Sequence, residues 1–315
     1  MGGFTGPHAG GGLRREEVGM DIALSIMKWP LAASLLLPGI LVYLGLHIVR
    51  REIIFVDLAL AQVAALGTCF CIVFGKHTHT WEIPLFIQTA QGPLTMDLSD
   101  SYLWALGFTL VGAAIFTVTR DVGRGRVPQE ALIGIVYVVA AAAALLILSR
   151  SSEGNEELKR TLVGDLLLVG PGPVIKTFLM FMLVGTVHLV FRKQFLALSF
   201  DPAGAESGRL SHRWWDFLFY SLFGVVVTSF VQIGGVLLTF SYLIVPAVCA
   251  NLLARSLRVM MLIGWLIATL SGVAGLVVSY KFDLPTGAAI VCVLGGVLPL
   301  AGIAGRLLRP RHHES

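Results

Sequence analysis

The chain has 315 residues, of which 56% are hydrophobic and only 13% are charged, and its mean hydropathy is +0.82. This composition leaves too little polar surface to cover a water-soluble globular protein, so it excludes that class and indicates a polytopic membrane protein. The net charge of +4 does not indicate nucleic-acid binding, because the arginines fall in short loops between apolar stretches, where they set membrane orientation.

The N-terminal segment is rich in glycine and carries charged residues at positions 14 to 17. It lacks an apolar stretch that ends in a small-residue cleavage site, so we expect an uncleaved, flexible tail over residues 1–28. A second tail is expected over residues 309–315. Residues 29–308 are then predicted to form one transmembrane domain.

Apolar stretches long enough to cross a membrane recur along the rest of the chain. A bilayer core of about 30 Å needs roughly 20 apolar helical residues. The sequence therefore predicts an all-α polytopic membrane protein with about nine transmembrane helices. Gly234 and Gly235 can form a turn between two helices or a kink in one long helix, which would give eight. The nine stretches are 31–49, 53–75, 102–119, 130–149, 174–191, 215–232, 235–253, 259–280 and 286–307.

Basic residues are divided unevenly between alternate loops of this arrangement. One side has 14 of the 23 lysines and arginines, whereas the other has nine, together with eleven acidic residues. Positive charge accumulates in cytoplasmic loops, so the N-terminus is predicted outside and the C-terminus in the cytoplasm. The 14 are Arg50, Arg51, Arg120, Arg124, Arg126, Arg192, Lys193, Arg209, Arg213, Arg255, Arg258, Arg306, Arg309 and Arg311.

Three segments are expected at the membrane surface rather than across the bilayer. Residues 161–173, TLVGDLLLVGPGP, are apolar but too short to span, and their two prolines indicate a re-entrant or interfacial helix. Residues 76–100 form the longest external loop. Residues 191–215 form the longest cytoplasmic loop, in which the Asp201-Pro202 pair favours the start of a short helix. This loop offers a platform that a cytoplasmic partner could bind.

The sequence lacks the short motifs of several functional classes. It has no GxxxxGK[ST] loop to bind phosphates, no GxSxG nucleophile elbow and no HExxH zinc-protease helix. Its cysteines lie within apolar stretches without a CxxC pair, so we expect small core residues rather than disulfides or a thiolate zinc site. The four are Cys69, Cys71, Cys249 and Cys292.

Five motifs follow one another along the apolar part of the chain. They are VPQEALIGIVYVVAAAAALL from residue 127, LVGDLLLV from 162, LSFDPAGAESG from 198, GGVLLTFSYLIVPAVCANLLA from 234 and FDLPTGAAIVCVLGG from 282. In this order they resemble the permease subunits of ABC importers for zinc and manganese, the ABC-3 family. The resemblance covers roughly residues 30–305, which is essentially the whole membrane part.

The resemblance implies a complex with several partners. Two permeases, identical or paired, would form the core, with cytoplasmic ATPase subunits that bind the ATP and an external metal-binding protein that delivers the ion. The cargo would be a divalent metal ion, zinc or manganese, with no intrinsic cofactor, and the complex would lie in the plasma membrane of a prokaryote. The family-like FDPAGAE stretch would couple to the ATPase through Asp201, Pro202, Ala203, Gly204 and Glu206.

Residues 55–67, FVDLALAQVAALG, depart from the family pattern. Family members carry an aspartate and a histidine four residues apart in a GDxLAH-like stretch, where both can be metal ligands on one helix face. Here Gln62 takes the place of the histidine, and Asp57 lies five residues before it. Five residues rotate by roughly 140° along an α-helix, so Asp57 and Gln62 cannot chelate one ion together without a local distortion. Their oxygen atoms are also harder ligands than imidazole.

Asp57, Gln62 and His188 are candidates to line the translocation path, and each has a structural alternative. Asp57 could instead form an ion pair with Arg50 or Arg51 near the cytoplasmic interface. Gln62 and His188 could each form a hydrogen bond to a neighbouring helix, as polar side chains in membranes commonly do.

Two further groups of residues have a functional and a structural interpretation. His77 and His79, in KHTHT, could direct both imidazoles toward one ion in an extended loop, or they could be solvated residues at a helix end. Gly234, Gly235 and Pro246 could break a helix that lines a cavity or acts as a hinge, or they could simply allow close helix packing.

The leading hypothesis is a transporter permease that is not itself an enzyme. The alternative is a stand-alone carrier or channel driven by an ion gradient, which should have charged pairs near the membrane midplane, whereas these spans contain few ionisable groups. An intramembrane enzyme would need an acid, base or nucleophile constellation that the sequence does not contain.

Overall fold

The structure, a computed structural model, describes residues 27–75, 79–89, 92–122, 127–149, 162–164, 166–200 and 212–308. Within these ranges, eight helical runs are long and apolar enough to cross a membrane. This confirms the predicted polytopic α-helical class.

Ten helices of at least nine residues and one two-stranded sheet make up most of the described part of the chain. In chain order they are α1 (27–36), α2 (Pro38–Arg51), α3 (Val56–Phe74), β1 (Thr80–Thr89), β2 (Gly92–Ser99), α4 (Asp100–Val122), α5 (Gln129–Leu148), α6 (Pro171–Val190), α7 (Arg192–Phe200), α8 (His212–Leu253), α9 (Leu257–Phe282) and α10 (Thr286–Leu308).

The strands β1 and β2 form an antiparallel hairpin in the segment that was predicted only as the longest external loop. Thr80 is paired with Ser99 and Ile83 with Met96, and the register shifts between Pro84 and Gln88. Two paired strands provide hydrogen-bond partners for each other's backbone N–H and C=O groups. An irregular loop exposed to lipid would leave these groups without partners. The hairpin continues directly into α4.

Helix α8 doubles back on itself at Gly235. Its 42 residues would extend roughly 63 Å as a straight helix, about twice the thickness of the bilayer core. Gly235 has φ 73° and ψ 171°, a conformation that is accessible essentially only to glycine. The rings of Phe230 and Tyr242 have centroids 5.9 Å apart, whereas a straight helix would separate these residues by about 18 Å.

Contacts at the two ends of α8 confirm this reversal. Arg50 Nη2 donates a hydrogen bond to Asn251 Oδ1 at 3.0 Å, and the adjacent Arg51 Nη1 donates to Asp216 Oδ1 at 3.0 Å. Asn251 and Asp216 therefore lie at the same end of the bundle although 35 positions separate them. We call residues 212–234 the outgoing limb of α8 and residues 236–253 its return limb. Whether these limbs bring the number of spans to nine stays a prediction.

The bundle has two distinct ends. The arginine end contains the C-termini of α2 and α4, where Arg51 and Arg120 both reach Asp216. The hairpin end contains β1 and β2, residues 162–164, the α8 reversal and the start of α10.

Small residues bring the helices close together between these ends. A Cβ at Gly67 would lie 2.7 Å from the Trp104 carbonyl oxygen, and a Cβ at Gly275 would lie 2.6 Å from Ile290 Cα. In lipid, helices associate through van der Waals contact rather than through the hydrophobic effect, so close backbone approach is a main source of packing.

Candidate translocation site

A cavity of about 320 Å³ lies among four helices, toward the hairpin end. Helices α3, α4, α6 and the outgoing limb of α8 each contribute to its wall. Hydroxyl and amide groups make part of this wall polar within a largely apolar bundle, and polar groups in such a place are expected to have a role. The polar lining residues are Thr68, Ser99, Ser101, Lys176, Thr177, Thr228 and Gln232.

Lys176 places an ammonium group at this cavity. Its Nζ lies 3.8 Å from the centroid of the Tyr102 ring, which is a cation–π contact, and the Tyr102 hydroxyl is 2.7 Å from Ser229 Oγ. Lys176 is buried in α6 and belongs to the predicted span 174–191. The sequence analysis missed this residue, although a single lysine within an apolar stretch is a signal for a functional position.

Asp57 and Gln62 lie on α3 below this cavity, toward the arginine end. Asp57 precedes Ala64 by seven residues, so both lie on one face of the helix about 10 Å apart along its axis. Gln62 precedes Ala65 by three residues, so the two are neighbours on the helix surface, offset by about 60°. Because Ala64 and Ala65 both line the cavity, each polar residue continues one of its walls toward the arginine end.

The bonding of Asp57 does not match the predicted structural alternative. Its Oδ1 accepts a hydrogen bond from the Leu58 backbone N–H at 2.8 Å, as suits a carboxylate in the first turn of a helix, while its Oδ2 is buried without a partner. Arg50 and Arg51 bind Asn251, Ser199 and Asp216 instead. The predicted ion pair between Asp57 and either arginine is therefore absent from the structure.

His188 lies in a buried aromatic cluster rather than beside Asp57. Its Nδ1 is 3.1 Å from the Val184 carbonyl oxygen, which can only accept, so Nδ1 carries the hydrogen and Nε2 the lone pair of the neutral ring. This Nε2 is buried without a partner, as is Nε2 of His47, whose ring centroid is 6.5 Å away. This hydrogen bond lies within α6, whereas the structural alternative was a bond to a neighbouring helix. The sequence analysis did not single out His47, because a lone histidine on an apolar helix gives little signal.

Those predicted metal-binding residues that the structure describes do not gather into one site. Across the ranges that the structure describes, no group of three or more His, Cys, Asp or Glu side chains is positioned to hold a metal ion. His79 is exposed ahead of β1, and its backbone N–H donates to Asp100 Oδ2 at 2.8 Å. His77 lies outside the described residues.

Gly234 and Gly235 form a turn at which three backbone segments meet. Gly164 also has a positive φ, of 65°, and a Cβ at Gly235 would lie 2.6 Å from the Val163 carbonyl carbon. A Cβ at Gly164 or Gly287 would likewise collide with the backbone of a neighbouring segment. We call the contact among residues 162–164, 234–235 and 287 the glycine seal. It brings three backbone segments into close contact at the hairpin end.

Pro246 lies within the return limb, where α9 approaches it closely. A Cβ at Gly264 would lie 3.3 Å from the Pro246 carbonyl oxygen. Pro246 therefore contributes to helix packing. Its predicted role as a hinge stays a prediction.

The predicted coupling residues Asp201, Pro202, Ala203, Gly204 and Glu206 lie outside the described residues. Helix α7 leads directly to them and is anchored to the bundle. Its Ser199 Oγ is 2.8 Å from His47 Nδ1 and accepts a hydrogen bond from Arg51 Nε, also at 2.8 Å.

A multi-pass helical bundle that encloses a polar cavity and contains a glycine-broken helix has the architecture of a membrane transport protein. The model of the ABC 3 transport family matches residues 23–304. This chain therefore belongs to that family.

Relatives agree with this assignment, and a solved structure shares the fold. The chain is 32% identical over 199 residues to the manganese transport system membrane protein MntC of Listeria innocua, covering 61% of this chain and 70% of that protein. It is 28% identical over 190 residues to the manganese import system permease protein ScaB of Streptococcus gordonii, covering 60% and 67%. The structure of PsaBC from Streptococcus pneumoniae in complex with Fab has the same fold, with a TM-score of 0.71 at 21% identity over 90% of this chain and 95% of that chain.

Proposed function

We propose that this chain is the membrane-spanning permease subunit of an ATP-driven importer for a divalent metal ion. The observation that carries the proposal is the buried carboxylate of Asp57, because it supplies negative charge on the α3 wall that leads from the cavity of about 320 Å³, whereas the Lys176 ammonium in that cavity repels a cation. A buried carboxylate oxygen without a partner is costly in a membrane protein unless it serves a function.

Among divalent ions, we propose manganese ahead of zinc. The polar groups on α3 supply carboxylate and amide oxygens, which suit Mn²⁺ better than they suit ions that prefer imidazole or thiolate. MntC and ScaB, to which the chain is similar, are both named for manganese. His188 and His47 would offer nitrogen ligands nearer the arginine end, so His188 is retained as a candidate on the path.

The two ends of the bundle suit different partners. We assign the arginine end to the cytoplasm, because it carries the excess of basic residues, and we place the ATPase contact at residues 201–206 beyond α7. The hairpin end would then face outward and receive an external metal-binding protein. A second permease, identical or paired, completes the proposed complex, and ATP is bound by the ATPase rather than by this chain.

Reconstituted transport tests the proposal directly. The permease, its ATPase and its external binding protein would be placed in liposomes, and uptake of radioactive Mn²⁺ and Zn²⁺ would be compared with and without ATP. We expect ATP-dependent Mn²⁺ uptake that fails when the ATPase lacks its catalytic residue. Uptake by the permease alone, driven by an ion gradient, would contradict the proposal and favour a carrier.

The coupling segment has its own test. Replacing residues 201–206 by a Gly-Ser linker should leave insertion and assembly intact but abolish ATP hydrolysis that depends on the loaded binding protein. A linker of equal length at residues 155–160, which the sequence predicts on the opposite side of the membrane, serves as the control. Undiminished coupling in the 201–206 variant would refute the assignment.

A further inference from the structure

A second cavity, of about 300 Å³, lies at the arginine end between α2, α4, α5, α7 and the outgoing limb of α8. It is separate from the proposed translocation site, which lies toward the hairpin end. Three of its lining residues are arginines and one is acidic. The polar groups that matter here are Arg50, Arg51, Glu52, Arg120, Gln129 and Tyr220.

Arg51 is buried at this cavity and held in one orientation. Its side chain is only 6% exposed, its Nη1 binds Asp216, its Nε binds Ser199, and its guanidinium carbon lies 3.9 Å from the centroid of the Phe219 ring. Its remaining nitrogen, Nη2, is buried and has no hydrogen-bond partner. A buried charged donor without an acceptor is destabilising, so this group is a ready binding site for an anionic oxygen.

The charges around the cavity leave it net positive. Asp216 faces both Arg51 and Arg120 and uses one carboxylate oxygen for each. Arg50 is exposed, its Nη2 donates a hydrogen bond to the neutral amide of Asn251, and its guanidinium carbon lies 5.5 Å from the centroid of the Phe200 ring. Glu52 is the one acidic residue in the wall, and because it is exposed its charge is screened by solvent.

Neutral donors add to the positive charge. Gln129 Nε2 donates a hydrogen bond to the Tyr220 hydroxyl at 3.0 Å, which leaves the Tyr220 hydroxyl hydrogen free to donate to another acceptor. A fixed guanidinium, a second arginine and a phenol form a set of donors that matches the tetrahedral oxygens of a phosphate.

The position of the cavity matches the depth of lipid headgroups. Arg51 and Arg120 are the last residues of two membrane-spanning runs, Met27–Arg51 and Asp100–Arg120. Basic pockets between transmembrane helices at this level bind anionic headgroups. We propose that this arginine cavity binds a phosphate group, supplied by the headgroup of an anionic phospholipid or by a soluble phosphate. Such a ligand would join α2, α4 and the outgoing limb of α8, and the proposal does not depend on which ion is transported.

Thermal unfolding of the delipidated full chain in neutral detergent tests this site. We expect phosphatidylglycerol to raise the melting temperature by several degrees and phosphatidylcholine to leave it unchanged. Arg120→Gln and Arg50→Gln should each weaken the titration with phosphatidylglycerol about tenfold, the loss expected for one charge-assisted contact. Glu52→Gln should strengthen it, because it removes the only opposing charge in the wall.

Arg258→Gln is the matched control, because Arg258 is an exposed arginine in the first turn of α9 that does not line the cavity. A parallel titration compares sodium phosphate with sodium chloride at equal ionic strength. Stabilisation by phosphate alone identifies a soluble phosphate as the ligand, whereas stabilisation by phosphatidylglycerol alone identifies a lipid. Equal effects of phosphatidylglycerol and phosphatidylcholine without any effect of phosphate, or equal losses in Arg258→Gln and Arg120→Gln, would overturn the proposal.

Discussion

The arginine end and the hairpin end of this bundle are held together by different forces. At the arginine end, Asp216 links Arg51 and Arg120, and both ion pairs that the described residues form with one another lie there. At the hairpin end, the glycine seal brings three segments together through backbone contacts. Ion pairs therefore stabilise the arginine end, whereas close backbone packing stabilises the hairpin end.

This difference has a consequence for transport. Of the two ion pairs at the arginine end, Arg51–Asp216 is buried, whereas Arg120 is partly accessible to water and can exchange its contact for one with another subunit or a phosphate at moderate cost. The glycine seal consists of backbone contacts, so it contains no long side chains whose rearrangement could loosen it. We therefore expect the glycine seal to open by movement of whole segments, and the following substitutions test each end in turn.

The largest effect is expected for Gly235→Ala. An alanine there would occupy a glycine-only region of φ and ψ, which alone costs about 1–3 kcal/mol. Its Cβ would in addition overlap backbone atoms of residues 163 and 164, and this clash can be relieved only by separating the segments of the glycine seal. We expect little or no folded protein, measured as monodisperse yield by size-exclusion chromatography. Gly134→Ala is the control, because a Cβ at that helical position meets nothing within 4 Å. Normal yield of Gly235→Ala would refute the α8 reversal.

A smaller but substantial effect is expected for Asp216→Asn at the arginine end. The change leaves Arg51 buried without its counter-ion, and removing one partner of a buried ion pair costs about 3–5 kcal/mol. Thermal unfolding in detergent should show a clearly lower melting temperature. The same substitution at the exposed Asp283 of the hairpin end should change stability by less than about 0.5 kcal/mol. Equal effects of the two substitutions would remove the distinction between the ends.

Asp57→Asn should affect transport more than stability. It keeps the size of the side chain and removes the charge below the cavity, so Mn²⁺ uptake per reconstituted complex should fall roughly tenfold, equivalent to about 1.4 kcal/mol in the barrier. Basal ATP hydrolysis and yield should stay normal, and Asp57→Glu should retain part of the uptake. Normal transport by Asp57→Asn would remove this residue from the path.

The smallest perturbation tests which way the two ends face. Thr80, in β1, and Lys193, in α7, are exposed at opposite ends, and cysteines introduced there should be labelled from opposite sides of intact cells. Cys292 must first be replaced, because it is the exposed one among the four native cysteines. Labelling of both positions from the same side would overturn the proposed orientation.

Much of the fold could be predicted because membrane spans depend on local composition. A run of about 20 apolar residues must become a helix in lipid, whatever its neighbours are, since each backbone group needs a partner within the segment. The arginines at the ends of the spans predicted which helix ends lie on the same side of the bundle. The contacts of Arg50, Arg51 and Arg120 agree with that prediction. The β1–β2 hairpin was missed, because pairing between strands depends on register rather than on composition.

The sequence by itself determined the membrane class, the apolar stretches and the family pattern, because each depends on residues that are close together in the chain. Only the tertiary structure decided the partners of the polar groups. Asp57 is close to Arg50 and Arg51 in the sequence, which suggested an ion pair between them. In the structure, those arginines bind residues more than 140 positions away instead. Likewise, the glycine pair at 234–235 allowed either a kink or a turn, and the choice was made by its packing against residues 163 and 164.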